Sequence, residues 1–190
     1  MSEQCAVGAV PRVWVGCLGC YNDGFLPGAW FTATTAPTDM TTFNQQVRDV
    51  GRYHQVDEHE EIWCLDHEHF DGVLTGEFAP ATGARVAALI ADLATEQRHA
   101  LAAWITHTDT TATTLTDTHI QQWRQGYIGL FDSEEAFARD QADEEHGKAL
   151  AAMPWPFGHI DWPAATTDLF STRYWSHRVV GGAVDVFHEQ

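Results

Sequence analysis

Cysteine and histidine are the residues of this 190-residue chain best suited to metal binding or nucleophilic chemistry, and their spacing decides which uses are open. Cys17 and Cys20 form a C-x-x-C, and Cys64 with His67 a C-x-x-H, so a Cys3His zinc site can be drawn on paper. The local pattern opposes it. Val13, Val15 and Cys17 fall on one face of a predicted strand, Leu18 and Cys20 on the other, and only a turn at Gly19 would bring the two sulfurs together. Buried, reduced thiols are the expectation, and Cys5 completes an even count that permits but does not suggest a disulfide framework. The run Asp66 to Asp71, DHEHFD, sets histidines among carboxylates, yet it is not the HExxH helix motif and fixes no third ligand. There is no G-x-S-x-G, no Gly-rich phosphate loop and no nucleophile with a spacing-defined base. The chain reads as a non-enzyme with no cofactor.

Carboxylates carry the stronger signal. There are 27 acids against 10 bases, a net charge of −17, and Lys148 is the only lysine. Such a chain repels phosphate backbones, which excludes direct nucleic-acid binding, and it attracts basic partners. Two blocks hold most of the charge. Between Tyr53 and Ala84 stand Asp57, Glu58, Glu60, Glu61, Asp66, Glu68, Asp71 and Glu77, with no Lys or Arg and with His54, His59, His67 and His69 interleaved. The second block is Asp132, Glu134, Glu135, Asp140, Asp143, Glu144 and Glu145, on a segment that reads as one amphipathic helix. Asp132 is its expected N-cap, Glu135 completes a capping box, Phe131 and Ala136 form a staple, and Gly147 is the expected C′ residue. No signal-peptide pattern opens the chain and no apolar run reaches about 18 residues, so a soluble, cytoplasmic protein is expected, with no membrane contact.

These blocks need a frame. Val10 to Leu18 and Gly28 to Thr34 are β-rich runs around the turn residues Asn22-Asp23-Gly24, Pro37 to Val50 takes helical spacing behind a possible cap at Thr38, and Glu61 to Leu65 returns to strand. Pro80 to Thr106 is helical, as one helix or as two with a cap at Thr95. The Thr-rich stretch Thr106 to Thr118 reads as a linker or exposed loop. Ile120, Trp123 and Tyr127 recur at helical spacing and lead into a Gly-punctuated aromatic turn before the second acidic block. Asp161 with Pro163 starts a helix through Leu169, and Gly181-Gly182 marks a hairpin between Arg173–Val180 and Ala183–Phe187. The expected fold is α+β, with an N-terminal sheet-plus-helix domain over 1–79, a central helical domain and linker over 80–115, and a C-terminal α+β domain over 116–190.

Three of these segments together resemble the ArdA antirestriction family. VWVGCLGCYNDGFLPGAWF resembles its opening signature, with Tyr21, Asn22, Gly24, Leu26, Gly28 and Trp30 in the Y-N-x-G-x-L-x-G-x-W positions. YIGLFDSEEAFARD resembles its later acidic segment, and HIDWPAATTDLF with the Gly-turn hairpin resembles its C-terminal end. The resemblance implies an elongated, mostly dimeric chain of small domains. It also implies a DNA mimic that inhibits type I restriction-modification enzymes by occupying the DNA-binding groove of the methyltransferase core, protecting incoming mobile DNA.

The charge agrees with that implication. Duplex DNA carries one charge per ~1.7 Å, so a homodimer at twice the chain's charge matches roughly 58 Å of duplex. One departure is plain: the segment before the Y-x-G turn is usually acidic in the family, and here Asp117 to Gln125 holds Asp117 alone, opposed by Arg124. The partner-binding carboxylates are therefore expected on the two blocks above. The alternatives are a small Cys/His metal-binding protein and an acidic module for another basic protein.

Overall fold

A computed structural model describes residues 7–47, 61–154 and 159–189. The chain divides into two compact units, Met1–Ile120 and Gln121–Gln190, and each contains one three-stranded antiparallel sheet, which makes the fold α+β.

In the first unit β1 (Arg12–Cys17) lies between β2 (Gly28–Thr32) and β3 (Ile62–Glu68). Its alternation buries Val13, Val15 and Cys17 completely. Gly28 lets β2 come close: a Cβ there would lie 2.5 Å from the Val15 carbonyl oxygen. The strand expected to continue to Leu18 stops at Cys17, whose Sγ accepts the Cys20 N–H at 3.4 Å and caps the short helix α1 (Leu18–Asn22). The C-x-x-C is thus a helical turn around Gly19 rather than two faces of a strand. Cys17, Cys20 and Cys64 are buried thiols, and Cys5 lies outside the described residues.

Helix α2 (Met40–Gln46) starts one residue later than expected, because the Asp39 carboxylate, at 2.8 Å from the Thr42 N–H, is the cap. Strand β3 runs three residues past Leu65, and its pairing with β1 shifts register between Trp14 and Val15, where Leu65 is the extra residue. Pro80 opens α3 (Pro80–Leu89), and α4 (Thr95–His107) follows after a break, so the central region is two helices. The cap of α4 is Ala94, with its N–H bonded to the Gln97 side chain at 3.0 Å; Thr95 is the first helical residue. Helix α3 packs on β1 and β3. Arg85 on α3 donates to the carbonyls of Ala112, Thr113 and Leu115, and Leu115 is fully buried. The Thr-rich stretch is a fastened loop, not a free linker.

Arg98 on α4 is 1 % exposed. Its Nη1 donates to the Ala9 carbonyl at 2.7 Å and to the His69 carbonyl at 2.9 Å, which ties residues 8–9 to the turn after β3. That turn uses positive φ at His69, Asp71 and Gly72. Helix α5 (Asp117–Gly126) contains Ile120 and Trp123, as their spacing predicts, but ends before Tyr127, which the same spacing places on it; the units divide after Ile120, within this helix.

In the second unit β6 (Val184–His188) lies between β4 (Tyr127–Phe131) and β5 (Tyr174–Arg178). Sequence reading took Tyr127–Phe131 for a turn; pairing with β6, some 55 residues on, makes it an edge strand. Gly181 and Gly182, at φ 103° and 96°, turn the β5–β6 hairpin, as their doublet predicts. Helices α6 (Glu134–Ala151) and α7 (Trp162–Thr172) pack together, and Phe137 of α6 enters a core with Tyr174, Val184 and Val186. Asp161 caps α7 through the Ala164 N–H at 3.1 Å. Tyr174 and Phe131 meet Phe137 edge-on. Among the described residues no helix is long and apolar enough to cross a membrane.

Candidate partner-binding surface

Helix α6 is the longest element and is built differently from its sequence signature. Ser133, not Asp132, is the N-cap: its Oγ accepts the Ala136 N–H at 3.0 Å. The helix also runs through Gly147 to Ala151, so Gly147 is interior and Lys148 supplies the cation of the last turn. Four further helical residues place Asp143, Glu144 and Glu145 mid-helix, away from the unfavourable C-terminal end of the dipole. The inner face buries Phe137 and Ala138, and the outer face exposes Asp140, Asp143 and Glu144 at the i, i+3, i+4 spacing that puts them on one side.

The carboxylates divide by what they already bind. On α6, Glu135 accepts from Arg139 at 2.6 and 2.9 Å, and Glu145 lies 3.4 Å from Arg173. Glu134 accepts the Ser176 hydroxyl at 2.6 Å. Glu144 takes only the Gln141 amide at 3.3 Å, while Asp132, Asp140 and Asp143 form no ion pair among the described residues.

The first block is sorted likewise, and Asp57, Glu58 and Glu60, with His54 and His59, lie outside the described residues. The register shift at Leu65 puts Asp66 and Glu68 on the face opposite His67, which instead meets Phe70 and Phe78 ring to ring. Glu68 pairs with Arg12, its neighbour across the ladder, at 3.3 Å. Asp71 lies 3.4 Å from the buried Arg98 guanidinium and is half-buried. Glu61 and Glu77 are exposed, as is Asp66, whose carboxylate accepts the His67 N–H at 2.7 Å.

The structure therefore gathers Asp140, Asp143 and Glu144 into one outward row and turns Asp71 to an internal task. Sequence reading missed Arg98 as a partner. The available signal was an arginine on the apolar stripe of α4, at i, i+3, i+7 with Leu101 and Ile105. Among the described residues no three His, Cys, Asp or Glu side chains gather to hold a metal. Burial pushes the Cys64 thiol up to about 12, and burial with a hydrogen bond to Cys17 does the same for Cys20.

The family model for antirestriction protein (ArdA) matches residues 13–181. This chain belongs to the ArdA antirestriction protein family. The curated proteins contain no match to it. In this ArdA chain the signature residues have separable tasks. Gly24 takes φ 86° and Gly28 admits the neighbouring strand, whereas Tyr21 and Leu26 are 43 % and 66 % exposed. The acid-poor segment Asp117 to Gln125 is the helix α5, with Trp123 buried and stacked on Tyr127 at 5.4 Å.

Proposed function

We propose that this ArdA chain inhibits type I restriction-modification enzymes as a DNA mimic, occupying the DNA-binding groove of the methyltransferase core by shape and charge and catalysing nothing. The observation that carries this reading is the outward row Asp140, Asp143 and Glu144 on α6: exposed carboxylates without ion-pair partners among the described residues, in a family of antirestriction proteins. An α-helix rises 1.5 Å per residue, so carboxylates along one face approximate the spacing of backbone phosphates. The net charge of −17 adds a long-range attraction to a basic groove.

The mimic surface comprises this row with Asp132, Glu134, Glu135 and Glu145 on the second unit. On the first unit it comprises Asp57, Glu58, Glu60, Glu61, Asp66, Glu68, Asp71 and Glu77. Carboxylates already paired with arginine, such as Glu68, Asp71, Glu135 and Glu145, contribute least, because part of their charge is neutralised within the chain. The chain acts as a cytoplasmic homodimer that protects incoming mobile DNA.

The test is a competition titration in which purified protein is added to a type I methyltransferase holding a fluorescent duplex, at two salt concentrations. Release of the duplex at stoichiometric protein, weaker at the higher salt, is the expected result. No release at large excess overturns the reading and favours a different basic protein as partner.

A further inference from the structure

The sheet of the first unit packs one face on α3, where Val13 faces Gly83. Arg12, Trp14 and Gly16 of β1 therefore point to the opposite face, with Trp30 of β2 and Asp66 and Glu68 of β3 beside them in register. The indole nitrogen of Trp14 lies over the Gly16–Gly28 pair: a Cβ would stand 2.6 Å from it at Gly28 and 3.6 Å at Gly16. Glycine at both positions lets the ring lie along the sheet. Trp30 meets it edge-on, with 6.0 Å between ring centres and 75° between planes, and both rings stay partly exposed.

One arginine is already seated on this face. The Arg12 guanidinium lies 5.3 Å from the centre of the Trp30 ring, and Glu68, its neighbour across the ladder, holds it at 3.3 Å. An indole and a carboxylate thus share one guanidinium. The next pair along the same two strands repeats the combination, since Trp14 stands opposite Asp66. Directly opposed residues have Cβ atoms about 4.5–5.5 Å apart, so the Trp14 ring and the Asp66 carboxylate border one space. Asp66 is exposed and accepts the His67 N–H at 2.7 Å; among the described residues no Lys or Arg pairs with it or stands over Trp14.

We propose that Trp14 and Asp66 form a receptor for an arginine side chain of the protein partner. The guanidinium stacks on the Trp14 indole and donates to the Asp66 carboxylate, as Arg12 does with Trp30 and Glu68. A guanidinium is planar and weakly hydrated and gains from both the ring and the carboxylate, whereas the strongly hydrated ammonium of lysine gains mainly from charge. Charge complementarity selects a basic occupant: the chain carries −17, and Glu61, Asp66 and Glu77 are exposed in this unit. An apolar occupant would cover the indoles but strip water from Asp66 without replacing it. The identity of the partner rests on the mimic reading; the chemistry of the Trp14–Asp66 pair does not.

The first experiment uses the full chain with isotope-labelled tryptophan and N-acetyl-arginine amide, with N-acetyl-lysine amide at equal concentration as the comparison probe. The Trp14 indole N–H resonance, assigned through Trp14→Phe, is expected to shift at least about threefold more with the arginine amide than with the lysine amide. Asp66→Asn is expected to reduce the arginine shift at least about threefold. Equal shifts with the two amides mean general charge attraction and overturn the site. An arginine shift that Asp66→Asn leaves unchanged means an indole surface that works without the carboxylate, and it also overturns the site.

The second experiment repeats the duplex competition with Asp66→Asn and, as a control of equal charge, Glu77→Gln, an exposed carboxylate of the same unit. Asp66→Asn is expected to raise the protein needed for half-release about three- to fivefold, and Glu77→Gln less than about twofold. The same effect from both variants overturns the assignment of this receptor to the partner. Failure of the mimic reading is visible separately, as wild-type protein that releases no duplex while the arginine amide still shifts the Trp14 resonance.

Discussion

Asp71 Oδ2 lies 3.4 Å from Arg98 Nη1, and the same nitrogen donates to the carbonyls of Ala9 and His69. One buried guanidinium thus holds together the segment before β1, the turn after β3 and helix α4. Breaking a buried pair from one side leaves groups uncompensated, so Arg98→Ala is expected to cost about 3–5 kcal/mol. Asp71→Asn keeps the shape and is expected to cost about 1–2 kcal/mol. Urea unfolding checks both. Inhibition per folded molecule is expected to change little in Asp71→Asn, since Arg98 already offsets this carboxylate within its own unit.

Free and paired carboxylates on α6 are expected to differ in function. Neutralising the outward row as Asp140→Asn, Asp143→Asn and Glu144→Gln together should raise the protein needed to release a duplex on the order of tenfold, with each single change near twofold. The pair Glu135→Gln and Glu145→Gln should shift it less, about threefold at most, because Arg139 and Arg173 already offset these charges. The salt dependence of release should flatten with the triple change. Abolition by any single change would contradict a shared surface.

The ends of α6 give a stability test. Ser133→Ala should cost about 1 kcal/mol, while Asp132→Ala should stay within about 0.5 kcal/mol. At the other end, a Cβ on Gly147 would meet only the tip of the Asp143 side chain, at 2.7 Å, and that tip can rotate away. Gly147→Ala is therefore expected to raise stability by up to about 1 kcal/mol, the gain in helix propensity. Thermal melts of the three variants decide where the helix begins and whether it continues through Gly147.

Alkaline pH should weaken the first unit. Burial raises the Cys64 thiol from 9.0 to about 12 in the folded chain. Above pH 9 the unfolded chain loses this proton while the folded chain keeps it, so the unfolded state binds fewer protons and stability falls as pH rises toward 12. The contribution is fully present below pH 9. Urea midpoints at pH 8 and pH 10 should separate in the wild type and separate less in Cys64→Ala, although the variant is less stable at both because it leaves a cavity.

Local signals were legible where local chemistry decides. Gly181-Gly182 announced the hairpin, Pro80 the start of α3, and the alternation of Val13, Val15 and Cys17 the central strand of the first sheet. Tyr127–Phe131 was not legible as a strand, since its pairing with β6 arises from residues some 55 positions away. Gly147 misled because a C′ glycine and an interior glycine look alike until the next turn, Lys148–Ala151, is seen to continue. The acidic blocks were visible as charge, but their division into free and paired groups was not. Arg98 and Asp71 are 27 residues apart, and Glu145 and Arg173 are 28.

The extra residue in β3 makes this strand sensitive to reading phase. Leu65 is the position at which alternation reverses, so that Ile62 and Cys64 are buried while Asp66 and Glu68 face out. Losing that one residue would restore an unbroken ladder with every pairing kept, Cys64 beside Val15, Asp66 beside Trp14 and His67 beside Val13, and the two acids would still face out. Gene variants that substitute or delete residue 65 should therefore persist in a population of these proteins, whereas in-frame loss of His67, which would turn Glu68 inward beside Val13, should be purged.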